Sequence, residues 1–122
     1  MNSLIEKVLN YEEFKSLGKV LHYPLNMLIR DTSKLDEKEL KYASNPLTHT
    51  DFFVFRKIDK APILVVEVDG YAFHANNPKQ LERDRMKDEI LGKYNIPILR
   101  LPTNGSGEEK KLTEKLSKIL ER

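Results

Sequence analysis

Three carboxylates stand beside short apolar runs, where a protein core would be expected to exclude them. Glu67 and Asp69 end the run Ile63-Leu64-Val65-Val66-Glu67-Val68-Asp69, and Asp51 opens the run Asp51-Phe52-Phe53-Val54-Phe55. Both runs are short and rich in β-branched and aromatic residues, which reads as two strands. Side chains alternate faces along a strand, so Glu67 and Asp69 share a face, with Ile63 and Val65. The link from Arg56 to Pro62 is short enough for a hairpin. Pairing the two strands brings Asp51 close to Glu67 and Asp69. Like charges so clustered repel one another unless a cation or a shared proton sits among them. Oxygen donors of this kind suit a hard divalent cation such as Mg²⁺.

The elements that must position these acids follow from periodicity. Leu4, Ile5, Val8, Leu9, Phe14 and Leu17 predict a helix over 4–17, with Ser3 and Glu6 spaced as a capping box. Val20 to Tyr23 reads as a first short strand ended by Pro24. Residues 25–48 carry no strong period, although 36–40 could form a helical turn. The hairpin strands fall at about 51–57 and 63–69, and Gly70 to Pro78 reads as a loop. A helix over 79–93 is expected to bury Leu81, Met86, Ile90 and Leu91. A strand follows at 98–101, and Ser106 and Glu109 are spaced to cap a last helix with Leu112, Leu116, Ile119 and Leu120 on one stripe. The expected fold class is therefore α/β: a mixed sheet of about four strands flanked by helices.

Composition narrows the function classes. A chain of 122 residues fits one domain, read here as spanning 1–122. A net charge of +2 is too small to indicate nucleic acid by itself, so any basic footprint must be local. The absence of cysteine excludes disulfides and thiolate metal sites. No stretch is long and apolar enough to span a membrane, and the first residues lack the apolar segment of a signal peptide. A cytoplasmic domain without a membrane partner is expected.

The order Asp51, Glu67-x-Asp69-Gly70, His74, Arg83-Asp84, Ile98-Leu99-Arg100 resembles the PD-(D/E)XK nuclease superfamily, whose core runs αβββαβ. Within it, the chain looks most like the subgroup of very-short-patch repair endonucleases and the C-terminal nuclease-like domains of bacterial superfamily-one helicases. The match is good over about residues 48–105 and loose in the first helix. The superfamily pattern carries a Lys two residues after the Glu. Asp69 holds that position here; the subgroup commonly has Asp or His there and a His after the Gly loop, a variation that His74 fits.

The resemblance implies a restriction-endonuclease-like core and a Mg²⁺- or Mn²⁺-dependent DNA endonuclease activity in repair, processing or defence. Asp51, Glu67 and Asp69 would be the metal ligands, and His74 a general acid or base. Gln80, Arg83, Asp84 and Lys87 share a helical face. The resemblance turns that face toward the acids, with Gln80 orienting water and Arg83, Lys87 and Lys79 holding phosphate. Glu6 and Asp84 are possible additional members of the site, although Glu6 is more simply a cap and Asp84 a partner of Arg83 or Lys87. Lys57, Lys60, Arg85 and Lys93 would add non-specific attraction to DNA. Arg100 is read as holding a carboxylate or covering the sheet. The expected partners are DNA and a helicase domain, which could lie in the same polypeptide, and the expected state is a monomer or weak dimer. The alternative is a catalytically degenerate nuclease fold that serves as a nucleic-acid-binding or protein-interaction module.

Overall fold

The structure is a computed structural model that describes residues 1–69, 77–102 and 107–121. Its elements in chain order are α1 (Asn2–Leu9), a 3₁₀ turn (Glu12–Phe14), β1 (Leu17–Leu21), α2 (Leu25–Leu28), α3 (Glu37–Ser44), β2 (Phe52–Arg56), β3 (Pro62–Asp69), α4 (Pro78–Lys93), β4 (Ile98–Pro102) and α5 (Glu108–Leu120). The strands form one four-stranded sheet in the order β1-β2-β3-β4. The first three are antiparallel, and β4 joins β3 in parallel after the α4 crossover. The protein is a mixed α/β fold with helices on both faces of a mixed sheet.

Alternation along β2 and β3 sorts side chains between two cores. Phe52, Val54, Leu64 and Val66 pack with Ile5, Val8 and Leu9 of α1 and with Leu112 and Leu116 of α5. Phe53 and Val65 pack on the opposite face with Leu25, Ala43, Met86, Ile90 and Leu91. Glu67 and Asp69 continue the Val65 side and so point toward α4. Ile63 departs from the expected alternation and joins the α1 core. The register shifts there: Val54 pairs with Leu64 and Phe55 with Pro62, leaving Ile63 as the extra residue of a bulge.

The first helix is shorter than its apolar spacing predicts. It ends at Leu9 because the chain is extended at Tyr11 and then makes a 3₁₀ turn. Phe14 and Leu17 are buried as predicted, but Leu17 opens β1. That strand stops at Leu21 because His22 takes a left-handed conformation, with φ 51°. The Ser3–Glu6 capping box does not form: Met1 is the N-cap, without a side-chain cap, and Glu6 pairs with Lys19 at 3.3 Å. At α5 the N-cap is Gly107, whose φ of 77° suits glycine. Ser106 lies outside the described residues, and Glu109 accepts from Tyr11 and pairs with Lys7.

The weak signal at 36–40 marks a real helix. Asp36 accepts from the Glu39 N–H at 2.8 Å and Glu39 accepts from the Asp36 N–H at 3.0 Å, a complete capping box. The Asp36→Ala variant is expected to lose about 1 kcal/mol of stability in urea denaturation. Glu39 also receives the Lys93 ammonium from the end of α4. That bond, then the Asp36 N–H, holds the Glu39 carboxyl below its ordinary value. A depressed carboxyl stabilises the fold above its unfolded pKa and loses that contribution as pH falls through the folded one. The stability gap between wild type and Glu39→Gln is therefore expected to be open at pH values above about 4.5 and to close under acid.

Candidate active site

Asp51 and Glu67 meet because β2 and β3 are antiparallel with Phe52 opposite Val66. The next residues outward are Asp51 and Glu67, and they are fastened reciprocally. The Asp51 N–H donates to Glu67 Oε2 at 2.7 Å, and the Val68 N–H donates to Asp51 Oδ2 at 2.8 Å. Each carboxylate is thus aimed by the other strand's backbone. Asp51 Oδ1 accepts no hydrogen bond among the described residues.

Glu67 is buried, and α4 answers its charge. Lys87, also buried, forms an ion pair with Glu67 Oε1 and donates to the His49 carbonyl at 2.9 Å. Burial pushes the Glu67 carboxyl above its usual range, while the Lys87 charge and the Asp51 N–H pull it back. Leu81, expected inside, is exposed. It lies five residues from Met86, about 140° around a helix of 3.6 residues per turn, while Lys87 falls on the inner face.

Asp69 lies farther along the same face and has different partners. Arg100 of β4 reaches Asp69 at 3.3 Å, Asp84 at 3.5 Å and Asp88 at 2.7 Å. Burial works against that guanidinium's charge, but the bond to Asp88 and the three surrounding acids hold its pKa above the ordinary value. Arg100 therefore holds carboxylates, one of the two uses expected of it. Gln80 donates to Asp84 Oδ1 at 3.0 Å.

A cleft of about 550 Å³ gathers most of the expected residues. Asp51, Glu67, Asp69, Gln80, Arg83, Asp84 and Lys87 all line it, with His49 and Tyr42. Tyr42 is half-buried, and burial raises its phenol pKa. Arg83 is exposed at this cleft, and Lys79 is exposed near the start of α4. Lys87 is engaged by Glu67 and His49, so it is not an open phosphate contact. Glu6 lies elsewhere, on α1 with Lys19. His74 lies outside the described residues. The sequence reading did not single out His49, which lines the cleft, or His22, whose ring lies 5.1 Å from that of His49. The signal was His49 two positions before Asp51, but it needs the pairing of β1 with β2 to acquire meaning.

Asp51 and Glu67 are two carboxylates on adjacent strands, donors of the kind a hard cation takes; Asp51 Oδ1 accepts no hydrogen bond among the described residues, while the Glu67 oxygens meet Lys87 and the Asp51 N–H. Asp69 faces the same cleft but does not join them in a group of three carboxylates with ligand atoms within 4.8 Å.

A mixed α/β domain with an acid-lined cleft between its sheet and a crossover helix is the class that the fold and the site define. The chain belongs to the family described as protein of unknown function DUF2726, which it matches over residues 24–119. No curated protein and no solved structure matches it.

Proposed function

We propose that this domain is a Mg²⁺-dependent nuclease of PD-(D/E)XK type that hydrolyses DNA phosphodiester bonds. The observation that carries the reading is the Asp51–Glu67 pair with Lys87 delivered to it from α4. The superfamily pattern brings an ammonium to the acids from two residues after the Glu, where this chain has Asp69. Lys87 brings the same charge to Glu67 from a different element. The element order, αβββαβ with α2 and α3 inserted after β1, agrees with the same reading.

In this reading Asp51 and Glu67 hold the cation. Bound there, Mg²⁺ would lower the pKa of a ligated water and offset charge on the phosphoryl oxygens. Lys87 opposes the burial that raises the Glu67 pKa. Gln80, fixed by Asp84, orients water in the cleft. Arg83 and Lys79 attract the DNA backbone. Arg100 offsets Asp69, Asp84 and Asp88, so the acidic wall does not repel phosphate as strongly. DNA is the partner, a helicase domain the natural companion, and the cytoplasm the compartment.

The degenerate-fold reading has its own observation. Lys87 and Arg100 already compensate the acids, which lets the cleft fold without metal. Incubation with plasmid and single-stranded DNA in Mg²⁺, Mn²⁺ or EDTA separates the two. Metal-dependent cutting is expected. Binding without cutting under either metal would overturn the proposal in favour of the degenerate fold, and no binding at low salt would overturn both.

A further inference from the structure

We propose that His22, His49 and Asp51 form a second metal position, one that takes a borderline-soft divalent transition ion of the Zn²⁺ class and shares Asp51 with the acidic pair. Among the described residues this is the group of three potential ligands whose donor atoms all lie within 4.8 Å of one another. Two imidazoles and one carboxylate suit Zn²⁺, Co²⁺ or Ni²⁺ rather than Mg²⁺, which prefers oxygen alone.

Backbone hydrogen bonds hold the chain around the three residues. Beyond the last ladder pair of β1 and β2, Leu21 with Phe52, the two chains stay bonded. The His22 N–H donates to the Asp51 carbonyl at 3.0 Å, and the Thr50 N–H donates to the Tyr23 carbonyl at 2.9 Å. Pro24 and His49 close the series as an isolated bridge. The left-handed φ of His22 turns the chain where a strand would have continued. The His22 and His49 rings stand 5.1 Å apart at 84°, edge to face.

The His49 ring meets a backbone carbonyl through one nitrogen. Its Nδ1 lies 3.2 Å from the Thr50 carbonyl. A carbonyl only accepts, so the neutral ring carries its proton on Nδ1 and presents the Nε2 lone pair. Both rings are exposed, which leaves an entry path. Three protein ligands leave at least one coordination position for water or a substrate oxygen. Asp51 supplies the link to Glu67, since its Oδ2 is held by the Val68 N–H and its Oδ1 accepts no hydrogen bond among the described residues. The proposal stands on binding alone and does not require the nuclease reading.

The test is titration of untagged protein with Co²⁺, read by the visible d–d bands and by calorimetry. Wild type is expected to bind one Co²⁺ with bands of nitrogen-containing coordination. The His22→Ala and His49→Ala variants are expected to weaken binding by roughly 100-fold. Glu67→Gln is expected to keep it, which separates this position from the acidic pair. Circular dichroism melts of the two histidine variants, whose side chains are exposed, check that the fold persists. No d–d bands with wild type, or unchanged affinity in both folded histidine variants, would overturn the proposal. A failed DNA-cleavage assay alongside intact Co²⁺ binding would remove the nuclease reading and leave this one standing.

Discussion

The Lys87→Met variant is expected to lose about 3–5 kcal/mol of stability, because it leaves the buried Glu67 carboxylate without its ammonium. That is a large part of the roughly 5–15 kcal/mol that holds a domain folded. It also leaves the His49 carbonyl without the Lys87 donor. The loss should depend on pH in a definite direction. Burial raises the Glu67 pKa and Lys87 opposes the rise, so removing Lys87 leaves burial with less to offset it. A carboxyl whose folded pKa is raised favours the folded state while protonated, and that advantage disappears as pH rises through the folded value. The deficit of Lys87→Met is therefore smallest below about pH 4.5 and grows toward neutrality. Adding Glu67→Gln should restore much of the stability at neutral pH, since the unpaired charge is gone. Urea denaturation of wild type and the two variants at two pH values measures this. A Lys87→Met deficit that does not change with pH would show that lost packing, not the stranded carboxylate, sets the cost.

Cleavage is expected to fall by at least roughly a hundredfold in Asp51→Asn and in Glu67→Gln, the loss that follows when several kcal/mol of charge stabilisation are removed. The two variants should not fail in the same way. Asp51→Asn keeps an oxygen able to accept from the Val68 N–H, and it leaves the Glu67–Lys87 pair in place. Its stability should stay near wild type while cleavage is lost. Glu67→Gln removes the charge that Lys87 answers, so it should alter stability as well as cleavage. Plasmid nicking at fixed Mg²⁺, run beside thermal melts of the same preparations, distinguishes these outcomes. Wild-type cleavage by Asp51→Asn would exclude that carboxylate from the reaction.

Much of the framework was legible in the residues because it rests on local periodicity. The runs at Phe52 and Ile63, the helix that starts at Pro78 and the strand at Ile98 are each set by apolar spacing and by the residues that break it. The convergence of Asp51 with Glu67 was legible too, because a hairpin of known faces fixes which side chains are neighbours. Errors arose where a short segment could satisfy the same burial in another shape. Phe14 and Leu17 are buried as a helix would bury them, yet they lie on a 3₁₀ turn and on a strand. Ile63 changed faces through one bulge, which no periodicity announces.

The amino-acid order alone determined the mixed α/β architecture, the two acidic hairpin ends and the polar face of α4, since each depends on neighbours a few residues apart. Only the tertiary structure decided the partners: Lys87 for Glu67, Arg100 for Asp69, and His22 and His49 beside Asp51. Lys87 lies 20 positions from Glu67 and Arg100 lies 31 from Asp69, and His22 comes from a different strand end than Asp51. Charges that far apart in sequence are brought together by sheet register and helix docking, and their identity follows from where the apolar cores seat each element.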